Sequence, residues 1–451
     1  MGLLNTSLVK PNAWPPPHAP GEVAALLRYV RQRDPIGHRV HCAFAMVHLL
    51  TLPLITAGSS LTFAVLVGYA LLRLPNTWRC YSSLLRVPLV WLLAAWIAWT
   101  ALTAAWSPDP SLAITEWWTL RMALLPAALW PVLGIAPWLV AAALIGVFAQ
   151  QALQLSEYLG VTDLRSQEGG SGRVGGWIHP IQTGAWCVAA MCWHLSATMR
   201  ARGLVRWLSL AGLAAAALGL IASQSRGPWI SGALALPIML VVVAIRRPQT
   251  RRTAVILMIF GVVAAAAAWP VMGRFVVDRV HETVEEYRNV WENGAPPQSM
   301  GERVLWWGWA WDMYCESPIV GLGAGSYRQA LSEQPSYHQA IERWPEKTDE
   351  ITRSHPHSLT FHILATTGTI GGLIVLSVVV LALRGAWRDP SDHLYADGAL
   401  FVLISWLIGA QFDSYHLAGH YLGIFMLAVA LTLPQRDLLD ADGPADRGDT
   451  S

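Results

Sequence analysis

The amino-acid sequence predicts an all-α polytopic membrane protein with about twelve transmembrane helices, and three features carry that reading. Only 13% of its 451 residues are charged and 54% are hydrophobic, whereas a soluble globular chain carries about 25% charged residues. Apolar runs recur at the roughly 20-residue length that a bilayer core demands. The cations gather in alternate connections between those runs.

The runs lie near 40–57, 59–75, 87–106, 113–133, 137–156, 179–199, 204–223, 228–245, 253–271, 357–383, 396–411 and 417–434. With the N-terminus in the cytoplasm, the even-numbered connections hold Arg73, Arg79 and Arg86, then Arg200, Arg202 and Arg206. Further along they hold Arg246, Arg247, Arg251 and Arg252, and finally Arg384 and Arg388. Nineteen of the 31 cations then lie inside, as the positive-inside rule requires. Residues 1–38, Pro-rich and basic with no cleavable signal, read as a cytoplasmic segment, and 435–451 as a cytoplasmic tail. Spans one to nine occupy 39–270 and spans ten to twelve 356–434.

Between them, 271–355 holds 21 of the 60 charged residues and cannot span, so it reads as an outer, periplasmic loop. Within it Val277, Val280, Val284 and Trp291 recur at helical intervals, which predicts an amphipathic helix packed on the membrane body. A second helix is expected over Arg303–Tyr314.

Several chemistries are excluded. A net charge of +2 offers no basic field for nucleic acid. The five cysteines form no CxxC and no Cys/His cluster, which argues against a disulfide scaffold or zinc site. No P-loop or dinucleotide fingerprint occurs. No DxD pair occurs either, and the first outer loop near Ala57-Gly58-Ser59 lacks an acidic residue. Neither a cofactor nor a metal is expected.

What the outer side does offer is arginine and histidine. Arg226, in Ser225-Arg226-Gly227-Pro228, opens the eighth span, where guanidinium and free helix N–H groups suit a phosphate. Its plain alternative is interfacial snorkelling. Arg303, in Gly301-Glu302-Arg303, opens the second loop helix and could equally pair with Glu302. Arg173 sits in Gly169-Gly170-Ser171-Gly172-Arg173, an anion-accessible or merely flexible loop. Ser354-His355-Pro356-His357-Ser358 enters the tenth span; its histidines suit a general base, a helix cap or, least well, a metal. Asp413, His416 and His420 read as a wall beside the site. Glu116 and Arg121 read as a mutual pair.

His357-Ser358, nine residues, Gly368, Thr369-Ile370 and Gly371 together resemble the signature of bacterial O-antigen ligases. The likeness extends to Ser225-Arg226-Gly227 and from Arg303 to Gly321-Leu322-Gly323-Ala324-Gly325, covering about 220 to 375. It resembles the O-antigen ligase/polymerase superfamily, which implies a GT-C-like fold in the bacterial inner membrane. The implied partners are a glycan on undecaprenyl diphosphate, a lipid A–core acceptor and membrane lipids. By the same resemblance His357 matches the catalytic histidine, and Arg226 and Arg303 match two essential arginines. Arg173 and His355 join those two arginines as candidate diphosphate ligands. The implied reaction is metal-independent, inverting transfer. The alternatives are an O-antigen polymerase and a protein O-oligosaccharyltransferase of the same chemistry. A haem-handling protein is more distant, suggested only by Trp306-Trp307-Gly308-Trp309, and a transporter more distant still.

Overall fold

The computed structural model describes residues 22–162, 174–292, 296–297, 300–388 and 394–433, and every regular element among them is helical. The chain opens with α1 (Glu22–Arg33), α2 (Pro35–Thr51), α3 (Thr56–Leu72), α4 (Leu74–Leu84), α5 (Pro88–Thr103) and α6 (Pro110–Thr119). It continues through α7 (Leu125–Leu129), α8 (Ala136–Tyr158), α9 (Pro180–Arg200), α10 (Gly203–Ser223), α11 (Arg226–Arg246) and α12 (Arg251–Glu292). Four short helices follow: α13 (Met300–Glu316), α14 (Tyr327–Glu333), α15 (Pro335–Arg343) and α16 (Thr348–Ile351). The last three are α17 (Leu359–Arg388), α18 (Ala396–Gly409) and α19 (Gly419–Thr432).

Among the described residues, six helices or helix chains are long and apolar enough to cross a membrane. Counting α3 and α4, bent by 96°, as one span makes seven. Every predicted apolar run falls on helical structure, yet several helices are short. The 14 residues of α18 or of α19 reach only about 21 Å at 1.5 Å per residue, against a hydrocarbon core of about 30 Å. The fourth run, 113–133, is not one helix. It breaks into α6, α7 and two 3-10 turns, with Pro126 and Pro131 inside it, each lacking the N–H that a continuous helix needs.

α19 is buried from His420 to Thr432 and forms the centre of the bundle. α12 is its opposite, with Ile256, Phe260 and Val263 exposed along its span. The separate amphipathic helix expected from Val276 to Trp291 does not exist as such. The ninth span runs on without interruption to Glu292 as a 42-residue helix, about 63 Å long. Val277 and Val284 on its extension are exposed, while the side chains of Val280 and Trp291 lie outside what the structure describes. The second loop helix does form, as α13. Trp306, Trp309, Met313, Tyr327, Leu331 and Ile351 give the loop a hydrophobic core of its own.

One joint holds that loop to the bundle. Inside α17, Gly368 takes φ 65° and ψ −168°, a region essentially reserved for glycine. The break frees helix backbone groups, and the segment after α13 takes them up. Leu322 and Gly323 N–H donate to the Ala365 and Thr366 carbonyls at 3.0 and 2.9 Å, while Thr369 and Ile370 N–H donate to the Pro318 and Ile319 carbonyls at 2.8 and 3.2 Å. Gly325 N–H donates to Glu116 Oε2 at 2.9 Å, and Trp106 Nε1 to the Gly321 carbonyl at 3.2 Å. A Cβ on Gly368 would lie 2.4 Å from the Ile319 carbonyl oxygen. Gly368→Ala is therefore expected to destabilise the protein by about 1–3 kcal/mol from backbone strain alone, and by more once that clash is relieved. Thermal unfolding in detergent should show it, whereas Gly261→Ala, where no atom stands within 4 Å of the added Cβ, should leave the midpoint near the native value.

Candidate functional site

His357 lies just before α17 with φ 50°, a left-handed conformation uncommon for a residue with a side chain. That turn swings the imidazole towards the α18–α19 connection, where Nδ1 is 3.0 Å from Asp413 Oδ1. The same end of α17 is tied down by Leu359 N–H donating to the Ala410 carbonyl at 2.7 Å and by Thr360 Oγ1 donating to Gln411 Oε1 at 2.8 Å. Asp413 also accepts the Ser414 N–H at 2.8 Å and the Tyr421 hydroxyl at 3.3 Å. Burial pushes its carboxyl up, but the His357 hydrogen bond and charge outweigh burial and hold it at about 2.

An ionised Asp413 can only accept, so His357 carries its proton on Nδ1 and presents the Nε2 lone pair. The His357 side chain keeps 22% exposure. The Trp306 ring packs against it with centroids 4.8 Å apart, and the His355 ring with centroids 4.3 Å apart. Burial and the neighbouring His357 push His355 down to about 3, leaving it uncharged.

Arg303 is one turn before Trp306 on α13, at a spacing whose residues share a helix face. Arg226 is the first residue of α11. A Cβ on neighbouring Gly227 would lie 3.4 Å from Phe412 Cβ, so the α11 N-terminus abuts the connection that carries Asp413. The structure thus brings His355 against His357 and sets the α11 N-terminus beside the connection that carries Asp413. Arg353, exposed, lies over the Trp306 ring at 5.9 Å. Arg173 falls outside the described residues.

Two sequence readings need correction. Glu116 and Arg121 do not pair. Arg121 donates to the Trp118 carbonyl and Ser60 Oγ, while Glu116 holds Gly325 and lies 3.3 Å from His362 Nε2. The Asp413, His416 and His420 wall disperses: Asp413 turns to His357, His416 faces His362 with centroids 4.9 Å apart, and His420 bonds Thr56 Oγ1 at 2.8 Å. Metal ligation, the least favoured of the three readings of the histidines, lacks a carboxylate at ligand spacing in the sequence. Asp413 supplies that carboxylate, and ligand atoms of His355, His357 and Asp413 lie within 4.8 Å of one another.

Residues 211–376, from within α10 to within α17, match a family model described as O-antigen ligase. The matched region holds Arg226, Arg303, His355 and His357 and stops short of Asp413. No curated protein matches the chain.

Beside Arg303, Glu302 is buried, 8% exposed. Burial, helped by neighbouring Glu350, pushes its carboxyl up to about 7. A raised carboxyl favours the folded state most while protonated, so this contribution should be present below the ordinary value and lost as pH rises through about 7,. Tryptophan-fluorescence melting across that window should show the decline, and Glu302→Gln should flatten it. A slope unchanged by that substitution would place its origin elsewhere.

Proposed function

As a member of the O-antigen ligase/polymerase superfamily through residues 211–376, this chain is, we propose, an O-antigen ligase of the bacterial inner membrane. It transfers a glycan from undecaprenyl diphosphate to a sugar hydroxyl of lipid A–core at the periplasmic face, within a twelve-span, GT-C-like body. The observation that carries this reading is the His357–Asp413 contact of 3.0 Å.

The chemistry follows from those groups. The acceptor hydroxyl gives its proton to His357 Nε2 as its oxygen bonds the anomeric carbon. The bond from that carbon to the diphosphate oxygen breaks, and the electron pair leaves with undecaprenyl diphosphate. Attack opposite the leaving group inverts the anomeric centre. Arg226 and Arg303 stabilise the charge that grows on the diphosphate, aided by the N–H groups at the α11 N-terminus. Guanidinium groups stay charged throughout, so they fill the place a divalent cation would otherwise take. Asp413 fixes the imidazole's tautomer and stabilises the imidazolium formed in transfer.

A second reading keeps the same reaction with a divalent cation on His355, His357 and Asp413. It removes His357 from proton transfer, because a metal ligand cannot also be the base. Thorough chelation separates the two: undiminished transfer supports the metal-free reading, and loss restored by one divalent cation supports the other.

His357→Ala is expected to abolish transfer from a purified lipid-linked donor to lipid A–core while the protein stays in the membrane. Normal transfer by that variant would remove His357 as the base. Asp413→Asn can donate to Nδ1 and so reverse the tautomer, which should lower kcat by roughly 10²–10⁴-fold with KM for the donor little changed. Membranes lacking the protein should accumulate undecaprenyl-linked polymer; a single glycan repeat on the core would indicate a polymerase instead.

A further inference from the structure

The transfer step gives work to His357 and Asp413 but none to His355, although the His355 ring packs against the base with centroids 4.3 Å apart. The His357 N–H donates to His355 Nδ1 at 3.4 Å. With only Pro356 between them, that bond and the left-handed turn at His357 keep the two rings together. Asp413 closes the group from the α18–α19 connection, and one ligand atom from each of the three residues lies within 4.8 Å of the others. The ligands of a tetrahedral zinc ion, at bond lengths of roughly 2.0–2.1 Å, stand about 3.3 Å apart, so small side-chain rotations close the three on an ion. The carboxylate is also oriented as ligand carboxylates usually are, by the Ser414 N–H at 2.8 Å and the Tyr421 hydroxyl at 3.3 Å. The His357 and Asp413 side chains keep 22% and 15% exposure, which leaves an ion a way in.

From this geometry we infer that His355, His357 and Asp413 bind a divalent transition-metal ion of the zinc class, and that the bound ion switches transfer off. This rests on the transferase reading above and adds to it an inhibitory ligand of the same site. Two imidazoles and a carboxylate are donors that suit zinc, whereas magnesium and calcium take oxygen ligands. The inhibition follows from where the imidazole proton sits. While Asp413 accepts from Nδ1, the Nε2 lone pair is free to take the proton of the acceptor hydroxyl. An ion bound between Nδ1 and Asp413 displaces the Nδ1 proton, and Nε2 takes it up. The imidazole stays neutral and no proton is gained or lost, but Nε2 becomes a donor and the base is gone. Asp413, spent on the ion, no longer stabilises an imidazolium. His355 supplies the third ligand, a task for a histidine that transfer leaves idle.

Zn²⁺ is titrated into the full-length protein in phosphatidylcholine nanodiscs, with Cys315→Ser in every sample because that cysteine is exposed and would compete. Transfer should fall roughly 10²-fold or more at saturation, the share a general base supplies, and should return on chelation, while Mg²⁺ leaves it unchanged. Transfer that saturating Zn²⁺ leaves unchanged would overturn the switch. Transfer that Zn²⁺ raises would also overturn it and favour the cofactor reading of the same three side chains. Binding is read separately, by calorimetry and X-ray absorption. One Zn²⁺ per chain is expected, with two imidazole nitrogens and a carboxylate oxygen at about 2.0–2.2 Å. His355→Ala and Asp413→Ala should each weaken Zn²⁺ binding by roughly tenfold or more, whereas His338→Ala, exposed on α15, should bind as the native protein does. An affinity that both site variants leave unchanged, or one lost with His338, would overturn the site. Zn²⁺ held by these three residues in a protein that transfers no glycan would uphold the metal site and overturn the transferase reading.

Discussion

The architecture around the site depends on one backbone exchange, the stitch between the break in α17 and the segment that follows α13. A helix interrupted within an apolar body exposes carbonyls and N–H groups that lipid cannot satisfy, and each such group costs several kcal/mol. Here the segment after α13 supplies donors on one side of Gly368 and acceptors on the other. The break costs little because it is filled, and the loop is held because the break needs filling. Neither half is a plausible structure without the other.

The loop side of the candidate site hangs from that joint. α13 places Trp306 against His357, and its far end is fixed by the stitch. Glu116 holds Gly325 from the side of α6, so the irregular fourth run also acts as a strut. Its two prolines and 3-10 turns make sense in that role. A straight helix there could not both bury Leu125, Leu129 and Trp130 and turn Glu116 to the glycine loop.

Much of this was legible in the sequence, and the unread parts share a physical cause. Apolar runs reveal helices because burial in lipid needs little more than composition and length. The spacing from His357 to Gly368 was legible as a pattern, but its reason was not: the glycine is required by a segment some fifty residues earlier in the chain. Asp413 was seen as an ionisable residue near the site, yet its pairing with His357 depends on how three helices meet. Glu116 was given the nearest cation in sequence, and its true contacts come from α17 and the glycine loop. Local charge cannot foretell a partner chosen by packing. The amphipathic reading of 276–291 failed for the opposite reason, since helical period reveals a helix without revealing whether it begins anew or continues.

The separation between His357 and Asp413, 56 residues, has a consequence for how the molecule comes into being. Both arginines and the histidine leave the ribosome before the residue that orients the imidazole, and Asp413 reaches its place only when α18 and α19 pair in the bilayer. Until then the left-handed turn at His357 lacks the contact that offsets its strain, and the imidazole has no fixed tautomer. The nascent protein thus holds both arginines and His357 before it holds the carboxylate that fixes the imidazole. That contact arrives with the final hairpin, as the last event of assembly.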